Sequence, residues 1–470
     1  MLFDLESQVL KQMKLFWNLF FCIALFQCVG CDSFEPFDKS SDAIASRGLE
    51  SSESLEKLLS REEVSRRLDS GYAKKPELRF LRAPKLRSLE LPLMHGMNSI
   101  WGATGRDHLG RIYYGVSAWD GLEDPSATLW RFDPRNDSFE FLGSVNEKLD
   151  ELKLRRRTPF SETQVKIHSK IFQAEDGKIY FSTQDEHQEK EDGSSGALFG
   201  GRLFSVDPDS QNWECIHTAP EGLIALAARG RYVVAEGYFG HVIYQYDTQN
   251  KTVRSKRLGT FKGHVSRNIF MDRRMHVYAI RVQPAEGDDQ QGVYQVEGQR
   301  QRVSLVELDT RLEEVQDWPL DDYLLTGTTS SEGITGFCEL NDGSIVFVAQ
   351  TGALWKISMD NDKAKLDRLG WFSSEGPSFC GGLFCPFGDR YVCGFSIKKE
   401  GAPYRWTVFD IDRLTSCSLK LDQESQSLMN RENLLAYGTE TIDHQARAYV
   451  VGWRQLNDGK APHILQLTWE

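Results

Sequence analysis

Seven short segments of the chain carry the same pattern, and this repetition limits the fold more than any other feature. They span residues 110–116, 177–183, 230–236, 275–281, 343–349, 389–395 and 446–452. Most open on Gly or a charged residue, then run through Tyr, Val, Ile or Phe. Such residues favour a pleated, half-buried surface. A second β-rich segment follows each one and often ends in Asp, most clearly at 129–133, 203–207, 243–247 and 305–309, with weaker copies at 354–357, 406–410 and 464–467. Asp at such a point starts a turn, because its carboxylate accepts a hydrogen bond from the backbone two residues on. A further strand then runs outward, as at 139–143 and 252–258. An apolar strand precedes each copy. The unit is therefore four antiparallel strands, repeated seven times.

That repetition predicts an all-β, seven-bladed β-propeller over residues 85–470. The last copy ends after its third strand, and a spare strand stands before the first copy at 85–91. Pairing 85–91 with 463–468 would close the ring and remove exposed sheet edges. Aromatic residues at 11% and 39 Gly fit many short strands joined by tight turns. The net charge of −12 argues against a broad nucleic-acid-binding face. The chain is expected to act as a monomer.

Ahead of the repeats, residues 15–29 form the one long apolar run, preceded by Met13 and Lys14 and followed by Gly30, Cys31 and Asp32. This reads as a secretory signal over 1–31, with start codon Met1 or Met13. The end of the run resembles a bacterial lipobox, with Cys28 where Leu is usual. The resemblance implies lipidation of Cys31 and a membrane anchor, with plain secretion and an uncleaved anchor as alternatives. Residues 32–84 are Ser- and charge-rich and read as a tether, with a short helix or a flexible stalk over 55–68.

The loops between second and third strands are long at 119–127, 184–201, 283–301 and 398–404, and share a face with the starts of the first strands. Long loops on a rigid scaffold carry function. Polar residues fall at those strand starts: His95, Lys166, His168, Glu221, His264, Arg267, Glu332 and Cys380. His95, His168, Glu221, His264 and Glu332 could together hold Zn, Mn, Mg or Ca. Lys166, Arg267 and Cys380 would line the ligand face. The alternative is a solvated channel. The acidic run 185–192 and the basic run 153–157 read as charged loops. Six cysteines beyond the signal either form local disulfides, four of them lying between 380 and 417, or serve as small buried hydrophobes.

The segment 244–251, reading Tyr-Gln-Tyr-Asp-Thr-Gln-Asn-Lys, resembles the repeat of bacterial exported propellers of the quinoprotein-like, YVTN-like and lactonase-like groups. The likeness covers residues 85–470 and implies architecture. The Trp-docking signature of quinoproteins is not repeated, so no quinone cofactor is expected. Two functions follow. One is a cell-envelope propeller, periplasmic or outer-membrane, that binds a protein or glycan through its long-loop face. The other is a metal-dependent polysaccharide lyase or lactonase with a His/Glu site at the channel mouth.

Overall fold

A computed structural model describes residues 82–469 apart from 119–121, 159, 189–195, 239, 260–265, 289, 297, 325–332, 386–389, 399–401, 431–440 and 457–458. The signal run, Cys31, the tether and the helix considered over 55–68 lie outside the described residues. The strands form seven antiparallel sheets arranged as the blades of a propeller. Blade 3 is the most regular: Leu223–Arg229, Tyr232–Gly237, Val242–Asp247 and Thr252–Arg257 pair in chain order. Blade 5 repeats this with Ile334–Glu339, Ile345–Ala349, Ala353–Asp360 and Lys363–Trp371.

Blades 1 and 2 have a broken innermost strand. In blade 1 it is Met97–Ser99 and then Thr104–Arg106, both against Ile112–Ala118. In blade 2 it is Lys166–Ile167 and then Phe172–Gln173, both against Ile179–Gln184. The innermost strands of blades 4 and 6 are short, Phe270–Met271 and Phe379–Cys380. The seventh sheet holds Ala448–Leu456 and Gly459–Thr468, with Ile442 bridging Ala448 on the inner side. Its outer strand is Lys85–Leu89, which pairs with Ile464–Thr468 where pairing of 85–91 with 463–468 was expected.

Part of the stretch at 283–301, expected as a loop, is instead a hairpin. Val293–Val296 pairs with the first residues of Gln299–Leu308. Two helices occur among the described residues, Val145–Glu151 after blade 1 and Gln423–Asn430 after blade 6. None of the described helices is long and apolar enough to cross a membrane.

The Asp turns work as their chemistry requires. Asp133, Asp207, Asp247, Asp309 and Asp410 each accept from the backbone N–H two residues on. Tight turns at 175–177 and 341–343 close on Gly177 and Gly343, with φ of +81° and +87°. Such left-handed geometry suits Gly because it has no Cβ.

A second Asp device ties the inner hairpins together. Asp443 accepts from the N–H groups of Gln445 and Arg447, from Arg447 Nε and from the Tyr449 hydroxyl at 2.7 Å. Asp107 and Asp272 do the same with Arg111 and Tyr113, and with Arg274, His276 and Tyr278. Tyr113, Tyr278 and Tyr449 are fully buried between blades, so each hydroxyl needs this partner. Tyr449→Phe is expected to cost about 1–2 kcal/mol by urea unfolding, since it leaves a buried Asp443 oxygen short of a donor.

Candidate functional site

The break in the innermost strands of blades 1 and 2 is what builds the channel mouth. Gly105 faces Tyr113 and Phe172 faces Tyr180 in equivalent registers. Trp101 and His168 each lie four residues before those positions and so occupy matching places in adjacent blades. Their rings are stacked, with centroids 6.1 Å apart and planes 12° apart. Trp453, from the second strand of blade 7, packs on Trp101 at 4.8 Å.

Cations surround this aromatic group. Lys166 Nζ lies 5.3 Å from the Trp101 ring and the Arg267 guanidinium 5.9 Å from it. Lys460, from the third strand of blade 7, lies 4.7 Å from the Trp453 ring. Arg267 Nη1 donates to His168 Nε2. Blades 2 and 4 are not neighbours, so this bond is made across the channel. Lys166 also pairs with Glu186, the first residue after the buried Asp185 in the long loop of blade 2. The start of the acidic stretch, at Asp185 and Glu186, is therefore not purely solvated. Asp185 is buried and accepts from the N–H groups of His187 and Phe199.

The environment keeps His168 neutral. Burial, then the charges of Arg267 and Lys166, push its pKa well below the usual histidine range. Lys460 is also pushed down, by burial and then by Lys166. Below this layer, Lys170 is buried in the channel and donates to Thr104 at 2.7 Å and Thr441 at 3.3 Å. At the far end Arg229 of blade 3 pairs with Glu339 of blade 5, beside a cavity of about 170 Å³ lined by Phe172, Phe270 and Phe337.

Of the residues singled out from sequence, the structure brings Lys166, His168 and Arg267 together. Glu221 turns into its own blade, where it accepts from the Gly240 N–H at 2.6 Å and the Tyr244 hydroxyl at 3.2 Å. Cys380 is buried beside the Gly382 carbonyl. His95 is exposed at the turn before blade 1. His264, Glu332 and Cys31 lie outside the described residues. Sequence reasoning missed Trp101, Trp453 and Lys460. The signal for Trp101 was its place ahead of its blade's repeat, matching that of His168.

One other group has the makings of a cation site. Ligand atoms of Asp272, His276 and Glu307 lie within 4.8 Å of one another. Arg274 already fills that space, donating to Asp272 Oδ2 and Glu307 Oε1 at 2.6 Å each. The cluster is an ion-pair network belonging to the Asp-Tyr device. The basic run 153–157 is likewise spent internally: Arg155 pairs with Asp124 and Asp150, Arg156 with Glu162, and Arg157 with Asp150. Cys215, Cys338, Cys380, Cys385, Cys393 and Cys417 form no disulfide with one another, and five of them are buried.

No family model and no curated protein matches the chain. Solved structures do. U3-55K aligns at TM-score 0.47 and 10% identity, covering 82% of this chain and 98% of that one. A Dyadobacter fermentans protein of unknown function aligns at 0.43 and 12%, covering 82% and 99%. Kuenenia stuttgartiensis hydrazine synthase aligns at 0.39 and 13%, covering 69% and 80%. The fold assignment rests on the seven sheets themselves.

Proposed function

We propose that this chain is a binding propeller, which takes a protein or glycan ligand through its long-loop face at the channel mouth. The observation that carries this reading is the convergence of Trp101, Lys166, His168, Arg267, Trp453 and Lys460 from four blades. The side chains come from paired strands or from the residues just outside them, so the group is held by the blades, which lowers the entropic cost of binding. Below the mouth, Lys170 donates to Thr104 and Thr441, which ties the inner strands of blades 7, 1 and 2 together under the site.

The metal-assisted lyase or lactonase alternative draws no support from this cluster. A divalent ion at His168 Nε2 would have to displace the Arg267 guanidinium and would face Lys166 as well. The reading includes an envelope location, through lipid on Cys31. Mass spectrometry of detergent-extracted protein checks that part: a diacylated Cys31 supports it, and an unmodified or absent Cys31 removes the anchor.

The binding claim is tested with the full chain on a glycan array and by crosslinking to envelope extracts. Arg267→Ala is expected to weaken the ligand found at least tenfold while the melting curve keeps its shape. A ligand whose binding follows Arg229→Ala at the opposite end, and ignores Arg267→Ala, would overturn the assignment of the face.

A further inference from the structure

We infer that the end of the channel opposite the mouth holds a second binding site, for a small aromatic carboxylate. It goes beyond the reading above, since its ligand is a single ring and not a protein or glycan. The site is the cavity of about 170 Å³ beside the Arg229–Glu339 pair. Innermost strands start at the mouth, and those of four successive blades end at this cavity. Blade 2 brings Phe172, blade 3 Ala227 and Ala228, blade 4 Phe270 and Met271, and blade 5 Phe337. Folded interiors leave few voids larger than a water molecule. Here the two alanines of blade 3 leave a space that longer side chains would occupy. An apolar cavity of roughly 150 Å³ holds a benzene ring. Phe270 and Phe337 lie 5.2 Å apart with planes tilted by 39°, and Phe172 and Phe337 keep part of their surface exposed. A further ring would therefore meet aromatic edges and faces, the contacts that such rings prefer.

The polar groups beside the cavity decide the charge of the ligand. Arg229 donates from Nη1 to Glu339 Oε2 at 2.5 Å and from Nη2 to Glu339 Oε1 at 3.2 Å. Arg273 Nε donates to the same Oε1 at 2.7 Å. Two guanidiniums thus share one carboxylate, and among the described residues no other acidic group is ion-paired with either. Two positive charges against one negative leave a net charge of +1. All three side chains are partly exposed, so the group is open to a ligand. A carboxylate there gains charge-assisted bonds from the guanidinium N–H groups. An ammonium group would instead meet two like charges, with the one carboxylate already taken. An aliphatic acid could fill the space but would forgo ring-to-ring contact. One ligand class satisfies both parts of the site: a ring for the cavity and a carboxylate, one or two bonds away, for the arginines.

The test is calorimetric titration of the full chain with four probes: phenylacetate, phenethylamine, hexanoate and acetate. Phenylacetate should bind at least tenfold more tightly than each of the other three. Two substitutions separate the parts of the site. Ala228→Leu fills the cavity from a partly exposed position and should abolish binding. Arg229→Gln leaves Glu339 paired with Arg273 and should weaken phenylacetate at least tenfold. Melting curves of both variants show whether the fold is kept, and either variant that keeps it decides the matter. No phenylacetate binding, or binding unchanged in a folded variant, would overturn the site. Phenethylamine binding as tightly as phenylacetate would overturn the charge assignment, and hexanoate doing so would overturn the aromatic one. The mouth is scored separately, by Arg267→Ala against its own protein or glycan ligand, so either site can fail without the other.

Discussion

Arg202→Met is expected to lower the unfolding free energy by about 3–5 kcal/mol, among the larger losses a single change in this chain should give. Arg202 and Glu162 form a two-pronged pair, Nε to Oε1 at 2.9 Å and Nη2 to Oε2 at 2.6 Å. Their side chains are 5% and 0% exposed. Removing the guanidinium would strand a carboxylate whose remaining donors are Gln164 Nε2 and the N–H and Nε of Arg156. Arg202→Met with Glu162→Leu should recover most of the loss, because two apolar groups leave no buried charge. Burial alone would raise the Glu162 pKa, but the bonds and charge of Arg202 outweigh it and hold it below the usual range. A depressed folded pKa contributes stability that is full above the ordinary carboxylate range and is lost as pH falls through the folded value. The difference between wild type and Arg202→Met in urea unfolding should therefore shrink on acidification, while the double variant should gain on wild type. A single variant as stable as wild type at neutral pH would sink the claim. The pair also bears on ligand binding, since Glu162 anchors the segment that delivers Lys166 and His168 to the mouth.

How far the sequence carried this picture depends on the length scale of each interaction. Strand identity and turn chemistry are local, so the copies at 177–183 and 343–349 and the Asp turns at 207 and 247 were legible directly. The face shared by the strand starts and long loops followed from strand alternation. Convergence across the channel was not legible. Arg267 meets His168 although blade 3 stands between blades 2 and 4, a relation no spacing in the chain encodes. Trp453 and Lys460 come from the last blade, and only the circular order brings them beside Trp101. The broken innermost strands also misled a simple count. A strand that pauses at Trp101 or His168 turns a side chain into the mouth that a continuous strand would have packed between blades. Glu221 was read as a mouth residue from its position alone. The nearness of Gly237 and Gly240, where a Cβ would lie 2.1 and 2.0 Å from its carboxylate, shows why it is instead sealed against its own blade.

That sealing gives Glu221 a large expected pH effect. Burial raises its pKa to about 7 from an ordinary 4.5, and the bonds from Gly240 and Tyr244 and the charge of Arg257 only partly oppose it. A folded pKa above the unfolded one means that the native state keeps its proton longer. Stability from this group is full below about 4.5, falls as pH rises, and is lost once pH passes the folded value near 7. The shift corresponds to roughly 3 kcal/mol between pH 5 and pH 9. Glu236, fully buried close by, is pushed upward by burial and then by the charge of Glu221, so the two titrate together. Glu221→Gln keeps one acceptor oxygen for the Gly240 N–H and offers its amide NH2 as a donor to the Tyr244 hydroxyl oxygen, but it cannot ionise. It should match wild type within about 1 kcal/mol at pH 5 and exceed it by roughly 2–3 kcal/mol at pH 9. The measurement is urea unfolding across that range at fixed ionic strength. Parallel curves for the two proteins would mean that Glu221 is already ionised at pH 5, and that water reaches it despite the two glycines. Adding Glu236→Gln to the variant should flatten the remaining alkaline slope, because the second carboxyl of the couple would then carry no charge at any pH.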